Sequence, residues 1–335
     1  MPMPLVRVHG VDDVRLDAVE IPPVGDDDVL LEVELCGICG SDLGYIAMGG
    51  LVQPMPLGHE LVGTIKTTGA NVAVFTKGDR VVVNPMAAGN SIGNGGPEGG
   101  FAPYLLVRGV ADNMDALYPV PDTLSSDQAA LVEPLSVALH GCHQGAVKGT
   151  DKVVVLGAGP IGLGTIACLH GLGVDQVIAV DPSPFRRERA AQLGATPFDP
   201  SSGELGGFLR EHHGSNELMG MPVPATDVYI EATGVGAVFE QCINTARQGA
   251  RIVVVGLHKQ PVNLDLTNVL LRELQIVGSM AYPNEFPAVI DMLKSGSIDT
   301  ALLVSHHYPL SDFPRALQQA READSAAKVL VDCQA

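Results

Sequence analysis

The chain has 335 residues, enough for two domains with separate cores. Hydrophobic residues make up 46% of it and charged residues 17%, a balance that supports a globular fold and excludes a disordered or collagen-like chain. Twenty Lys and Arg stand against 38 Asp and Glu, and the net charge of −18 repels polyphosphate backbones and anionic lipid, which sets nucleic acid and membranes aside as partners.

Met1-Pro2-Met3-Pro4 runs directly into a strand-like stretch, with no basic and apolar leader before a cleavage site, so export is not expected. Asp28 to Leu35 alternates, with Val29, Leu31, Val33 and Leu35 expected on one face, and Arg80 to Val83 is a β-branched run. Asn84 to Phe101 is rich in Gly, Asn and Pro and reads as loop. From Asp151 short apolar strands alternate with helices: strands at Lys152–Leu156, Gln176–Val180, Asp227–Ile230 and Arg251–Val255, with a helix over Ile161–Leu172. That alternation predicts a parallel, doubly wound sheet. The apolar stretch Val153 to Leu172 is broken by Gly157, Gly159, Pro160, Gly162 and Gly164 and is not a membrane span. An amphipathic helix near Phe286–Leu293, a strand near Leu302–Val304 and a strand Lys328–Asp332 do not continue the repeat, and are expected to return to the first domain. The expected division is a β-rich domain over 1–145 and 281–335 and a nucleotide domain over 146–280. Six cysteines are scattered, with one close pair, which suits a reducing cytoplasm better than a disulfide framework.

Gly157-Ala158-Gly159-Pro160-Ile161-Gly162 follows an apolar strand and opens a helix, the context that gives a G-x-G-x-x-G match its meaning. Gly157 permits the turn, Gly159 lets backbone N–H groups approach a pyrophosphate at the helix N-terminus, and Gly162 allows helix and strand to pack closely. Asp181 ends the next strand, nineteen residues after Gly162, where a carboxylate accepts from both ribose hydroxyls and repels a 2′-phosphate. NAD is therefore expected over NADP, although Arg186 and Arg187 stand close enough in sequence to offer a phosphate a guanidinium.

Cys36-Gly37-Ile38-Cys39 is a C-x-x-C with no second pair to complete a four-thiolate site, and it lies in the β-rich region rather than beside a βαβ unit. Gly58-His59-Glu60 precedes another strand, and Glu133-Pro134 opens a helix. Thiolate, imidazole and carboxylate together suit Zn²⁺ with an open position; singly, His59 could be a structural histidine and Glu133 a carboxylate favoured by the helix dipole.

In order, Cys-Gly-Ile-Cys-Gly-Ser-Asp, Pro-Leu-Gly-His-Glu, Gly78-Asp79-Arg80-Val81, Gly99-Gly100-Phe101-Ala102, Glu133-Pro134-Leu135-Ser136-Val137 and the glycine-rich turn resemble the zinc-dependent medium-chain dehydrogenases. Glu-Pro-Leu is most similar to the sorbitol, or polyol, dehydrogenase branch. The resemblance implies a GroES-like catalytic domain and a Rossmann cofactor domain. It also implies zinc on Cys39 and His59, with Glu60 or Glu133 completing the shell, directly or through water. Cys36 is then structural, Asp42 the carboxylate that orients His59, and Ser41 the hydroxyl beside the substrate oxygen and first proton acceptor. Gly157, Gly159, Pro160, Ile161, Gly162, Asp181, Arg186, Val255, Gly256, Leu257 and Ser279 are the implied cofactor contacts, and relatives are dimers or tetramers.

Three positions depart from that pattern. Gly44 stands where most relatives have a relay His; the Asn84–Phe101 stretch lacks the four cysteines of a structural zinc, so one zinc per chain is expected; and Ala281 replaces the polyol-contacting Arg. With Ala47, Met48, Leu51 and Met55, Ala281 suggests a pocket less polar than a polyol needs. The expected activity is reversible, NAD-linked oxidation of a secondary alcohol to a ketone, against a polyol or sugar dehydrogenase and, in a different class, a dinucleotide binder without turnover.

Overall fold

The strand Val29–Gly37 organises the N-terminal half of the computed structural model, which describes residues 2–335. It pairs antiparallel with Glu60–Thr68 on one side and Lys328–Asp332 on the other, in a seven-stranded sheet that also contains Arg80–Val83, Tyr104–Val107, Leu117–Pro119 and Val304–Pro309. The expectation of a single buried face is corrected: the register shift at Val33/Leu35 leaves Glu34 as an extra residue on this strand. Val29, Leu31 and Val33 enter the N-terminal core, whereas Leu35 joins the core shared with the nucleotide-binding half. A bulge reverses the side on which every later residue emerges.

Between Lys152 and Gly278 six parallel strands form one sheet, in spatial order Thr196–Phe198, Gln176–Val180, Lys152–Leu156, Val228–Glu231, Arg251–Val254, Gln275–Gly278. Strand order reverses between Lys152–Leu156 and Val228–Glu231, and a crevice at such a switch point, beyond the carboxyl ends of the strands, is where open α/β sheets bind ligands. The helix Pro160–Gly171 follows the first of these strands, as its glycine-rich start predicts. An antiparallel hairpin, Ser215–Leu218 with Met221–Pro224, carries little apolar signal and was not legible in the sequence.

Helix Phe286–Ser295 buries Phe286, Val289, Ile290 and Leu293 in the core built around Leu135 and Ile166, against helix Val132–Gln144. The expected strand at Leu302–Val304 is corrected to Val304–Pro309: Leu303 closes a turn onto Thr300, and parallel pairing with Lys328–Asp332 fixes the strand through His306 and His307, whose polarity hid it. The expected loop Asn84–Phe101 has no helix or strand. Among the described residues no helix is long and apolar enough to cross a membrane.

His213 closes helix Leu205–His213, is 2% exposed, and shares a 2.9 Å hydrogen bond between Nδ1 and the Thr226 hydroxyl. Burial, helped by Lys152, pushes its pKa down to about 4. A histidine depressed in the folded state stabilises the fold fully above its unfolded pKa, about 6.5, and loses that contribution as pH falls toward 4. The wild type is expected to lose ~3 kcal/mol more stability than His213→Gln between pH 7 and pH 4, measured by denaturant unfolding at each pH; parallel pH profiles would refute this.

Candidate active site

Cys39 caps helix Gly40–Met48, and the Asp42 carboxylate in the first turn accepts the Cys39 N–H at 2.9 Å and the Gly58 N–H at 3.3 Å. One buried acid thus ties the Cys39 turn to the segment carrying His59 and Glu60. Gly58 has φ +92°, and a Cβ there would press on Phe101 and the Cys36 sulfur, so only glycine lets the two segments meet. Burial raises the Asp42 pKa, with His59 pulling it back.

Ligand atoms of Cys39, His59 and Glu60 all lie within 4.8 Å of one another, the one such group among the described residues. His59 is 5% exposed; its Nε2 is 3.4 Å from the Ser41 hydroxyl, and its Nδ1 is 3.8 Å from Asp42 Oδ1, longer than a hydrogen bond and without another partner. Burial opposes a charged imidazole here, but Cys39 and Asp42 outweigh it and move the pKa well above the ordinary histidine value. A thiol, an imidazole and a carboxylate, buried and convergent, are a donor set that fits zinc.

Glu133 lies outside that group, buried in the first turn of helix Val132–Gln144. Burial pushes its pKa up to about 7; His59 draws it down and Glu60 adds to the rise. Buried Tyr282 is its neighbour, and burial, helped by the Glu133 charge, raises the tyrosine pKa, a proximity the sequence did not assign. Lys328 is a second unassigned residue: its ammonium is 2.7 and 2.6 Å from the two oxygens of Glu60. Cys36 faces the N-terminal core with its thiol pKa raised by burial. Met48 and Leu51 are more than half exposed, whereas Met55, expected in the pocket, is corrected to the N-terminal core, held by its pairing with Val8.

On the opposite side Gly157 takes φ +93°, and a Cβ on Gly162 would overlap the Gly157 carbonyl oxygen. The helix beginning at Pro160 has no side-chain cap, which leaves its first N–H groups open to an anion. Asp181 is 4% exposed, and its carboxylate accepts from Ala158 N at 2.7 Å and Ser183 N at 2.8 Å, fixing it against the glycine-rich turn. The Arg186 guanidinium lies over Gly159, while Arg187 is occupied by the Asp181 and Pro182 carbonyls and by Asp199. Val255 packs against Gly141, a Cβ at Gly256 would overlap the Gly234 N–H, Leu257 is exposed, and the buried Ser279 hydroxyl has no partner.

Fold and site together define a two-domain dehydrogenase with a mixed-donor metal centre and a dinucleotide crevice. Residues 25–122 match the alcohol dehydrogenase GroES-like domain and residues 160–295 the zinc-binding dehydrogenase family. Rat sorbitol dehydrogenase is 33% identical over 97% of this chain and 94% of its own. The crystal structure of 2R,3R-butanediol dehydrogenase from Bacillus subtilis superposes with a TM-score of 0.88 at 30% identity, covering 98% of this chain and 99% of that one. An alcohol dehydrogenase from E. coli CFT073 complexed with NADH superposes with a TM-score of 0.87 at 27% identity over 99% of both chains. The chain belongs to the zinc-dependent medium-chain dehydrogenases, in the branch that resembles sorbitol dehydrogenase. It is a zinc-dependent oxidoreductase of the CH–OH class.

Proposed function

We propose that the chain interconverts a small, weakly polar secondary alcohol and its ketone, with NAD as hydride acceptor and one zinc per chain. The observation that carries this reading is the convergence of Cys39, His59 and Glu60 ligand atoms within 4.8 Å. These three residues hold the metal, with Glu133 close by; zinc bound there supplies a Lewis acid that makes an alcohol proton easier to remove. Asp42 holds the Cys39 and Gly58 backbones in register and keeps a negative charge behind His59. Ser41, whose hydroxyl sits beside His59, takes the alcohol proton as it passes its own on toward the cofactor ribose and solvent, a route that lacks a relay histidine at Gly44. Gly157, Gly159, Pro160, Ile161 and Gly162 bind the pyrophosphate, Asp181 and Arg186 flank the ribose, and Val255, Gly256, Leu257 and Ser279 line the nicotinamide side.

A single zinc is supported by how the Asn84–Phe101 lobe is held. Glu98, 6% exposed, accepts from Asn90 Nδ2 at 2.9 Å and from Arg108 Nε at 3.1 Å, so hydrogen bonds close the lobe. The exposed Met48 and Leu51, and Ala281 in place of an arginine, favour a weakly polar substrate over a polyol. The two separate large sheets support the division into 1–145 with 281–335 and 146–280. Free cysteines support a cytoplasmic setting. Exposed Leu266, Leu270, Ile276 and Met280 beside the edge strand Gln275–Gly278 support a homodimer or a tetramer of such pairs.

The reading is tested with purified protein, NAD and a panel of 2-butanol, cyclohexanol and 2,3-butanediol against sorbitol, xylitol and inositol, alongside zinc analysis. Turnover of the first group, with about one zinc per chain whose removal stops NADH production, is the expected result. Turnover confined to the polyols would reject the substrate class; a zinc-free protein that binds NADH without turnover would reject catalysis.

A further inference from the structure

Lys328 begins the strand Lys328–Asp332, and its side chain is 3% exposed. Each of its three N–H donors has an acceptor: the Glu60 oxygens at 2.7 and 2.6 Å and the Ile38 carbonyl at 3.1 Å. The same Glu60 carboxylate, fully buried, supplies a ligand atom to the group it forms with Cys39 and His59. Space for this pair is built into the strand beside it: a Cβ at Gly37 would overlap a Glu60 oxygen and reach within 3.3 Å of the Lys328 side chain. Both oxygens of one metal-binding carboxylate are therefore already held by a permanent cation that comes from 268 residues away in the sequence.

We propose that Lys328 is a positioning residue that stands in for the metal. Its ammonium keeps the Glu60 carboxylate aimed at Cys39 and His59 before zinc arrives, and afterwards competes with zinc for that carboxylate. The proposal rests on the reading of Cys39, His59 and Glu60 as the zinc site. The physical basis is that a buried carboxylate stripped of its partner is strongly unfavourable, whereas one with a cation on either side divides its interaction between them. With lysine present, the metal-free site stays assembled and zinc is held less tightly than the donor set alone would hold it. Without lysine, only zinc can neutralise Glu60, so metal binding and folding become more tightly linked.

The test compares wild type, Lys328→Met, Glu60→Gln and the double variant, each stripped with a chelator. Zinc affinity is read by competition with a chromophoric chelator, and thermal unfolding is followed with and without zinc. Lys328→Met is expected to bind zinc about 100-fold more tightly and to lose far more thermal stability in the metal-free form than in the loaded form. Where Glu60 is already Gln, the lysine change is expected to reverse its sign on metal-free stability and restore part of it, because the ammonium is then the unpaired buried charge, and to move zinc affinity far less than it does beside the carboxylate. If Lys328→Met folds only with zinc, the double variant must fold without it. Unchanged or weaker zinc binding in Lys328→Met, equal loss of stability in both forms, or an equal effect in the Glu60→Gln background overturns the proposal. A wild type that binds no zinc, or keeps it after Cys39→Ala, overturns the site reading and the proposal with it; normal wild-type loading with an indifferent Lys328→Met overturns the proposal alone.

Discussion

Cys39→Ala is expected to lower kcat/KM for alcohol oxidation by about 10⁴-fold, ~5 kcal/mol of transition-state stabilisation, even in the presence of added zinc. The thiolate is the one soft donor in the group, and without it an imidazole and a carboxylate already engaged by Lys328 remain to hold the ion. The loss should track zinc content, measured by atomic absorption, and should leave NADH binding intact, because the glycine-rich turn belongs to the other sheet. Cys36→Ala is the matched control. Its thiol lies in the N-terminal core, so that variant is expected to keep its zinc and to lose stability instead. Equal zinc loss in the two variants, or full activity in Cys39→Ala, would remove the cysteine from the metal site.

The contrast between these two thiols shows where sequence reading stops. Local grammar was enough for the nucleotide crevice, because strand, turn, helix and terminal acid are contiguous and their glycines are dictated by backbone geometry at Gly157 and Gly162. Cys39, His59 and Glu60 became candidates through the resemblance of their motifs to the dehydrogenase family, since a C-x-x-C read alone does not say which cysteine faces a metal. Local grammar could not reveal Lys328, a lone charge before Val329-Leu330-Val331, because its partner is fixed by antiparallel pairing of distant strands. Nor could it reveal that Leu35 and Val33 serve different cores, since alternation is unchanged by a bulge that only the neighbouring strand defines. Glu133 was legible as a candidate donor, but its displacement from the Cys39 group and its nearness to Tyr282 depend on how helix Val132–Gln144 meets the segment after Gly278. In each case the missing information is a long-range contact, not a weak local signal.

Asp181→Ser is expected to raise KM for NAD about 100-fold and to raise the NADP-to-NAD ratio of kcat/KM by a similar factor or more. The carboxylate stands at the end of strand Gln176–Val180, and its two backbone bonds, from Ala158 and Ser183, leave lone pairs for the ribose hydroxyls. Two charge-assisted hydrogen bonds are lost with it, which accounts for the size of the NAD effect. The gain for NADP comes from the guanidinium of Arg186 over Gly159, whose attraction for a 2′-phosphate is opposed by Asp181 in the wild type. Arg187 cannot take that role while it holds two carbonyls and Asp199. Adding Arg186→Ala to Asp181→Ser should therefore abolish the NADP gain while leaving the NAD defect in place. Initial rates with both cofactors at varied concentration decide the matter: equal wild-type use of NAD and NADP, or an Asp181→Ser variant with unaltered preference, would mean that cofactor choice is made elsewhere in the crevice.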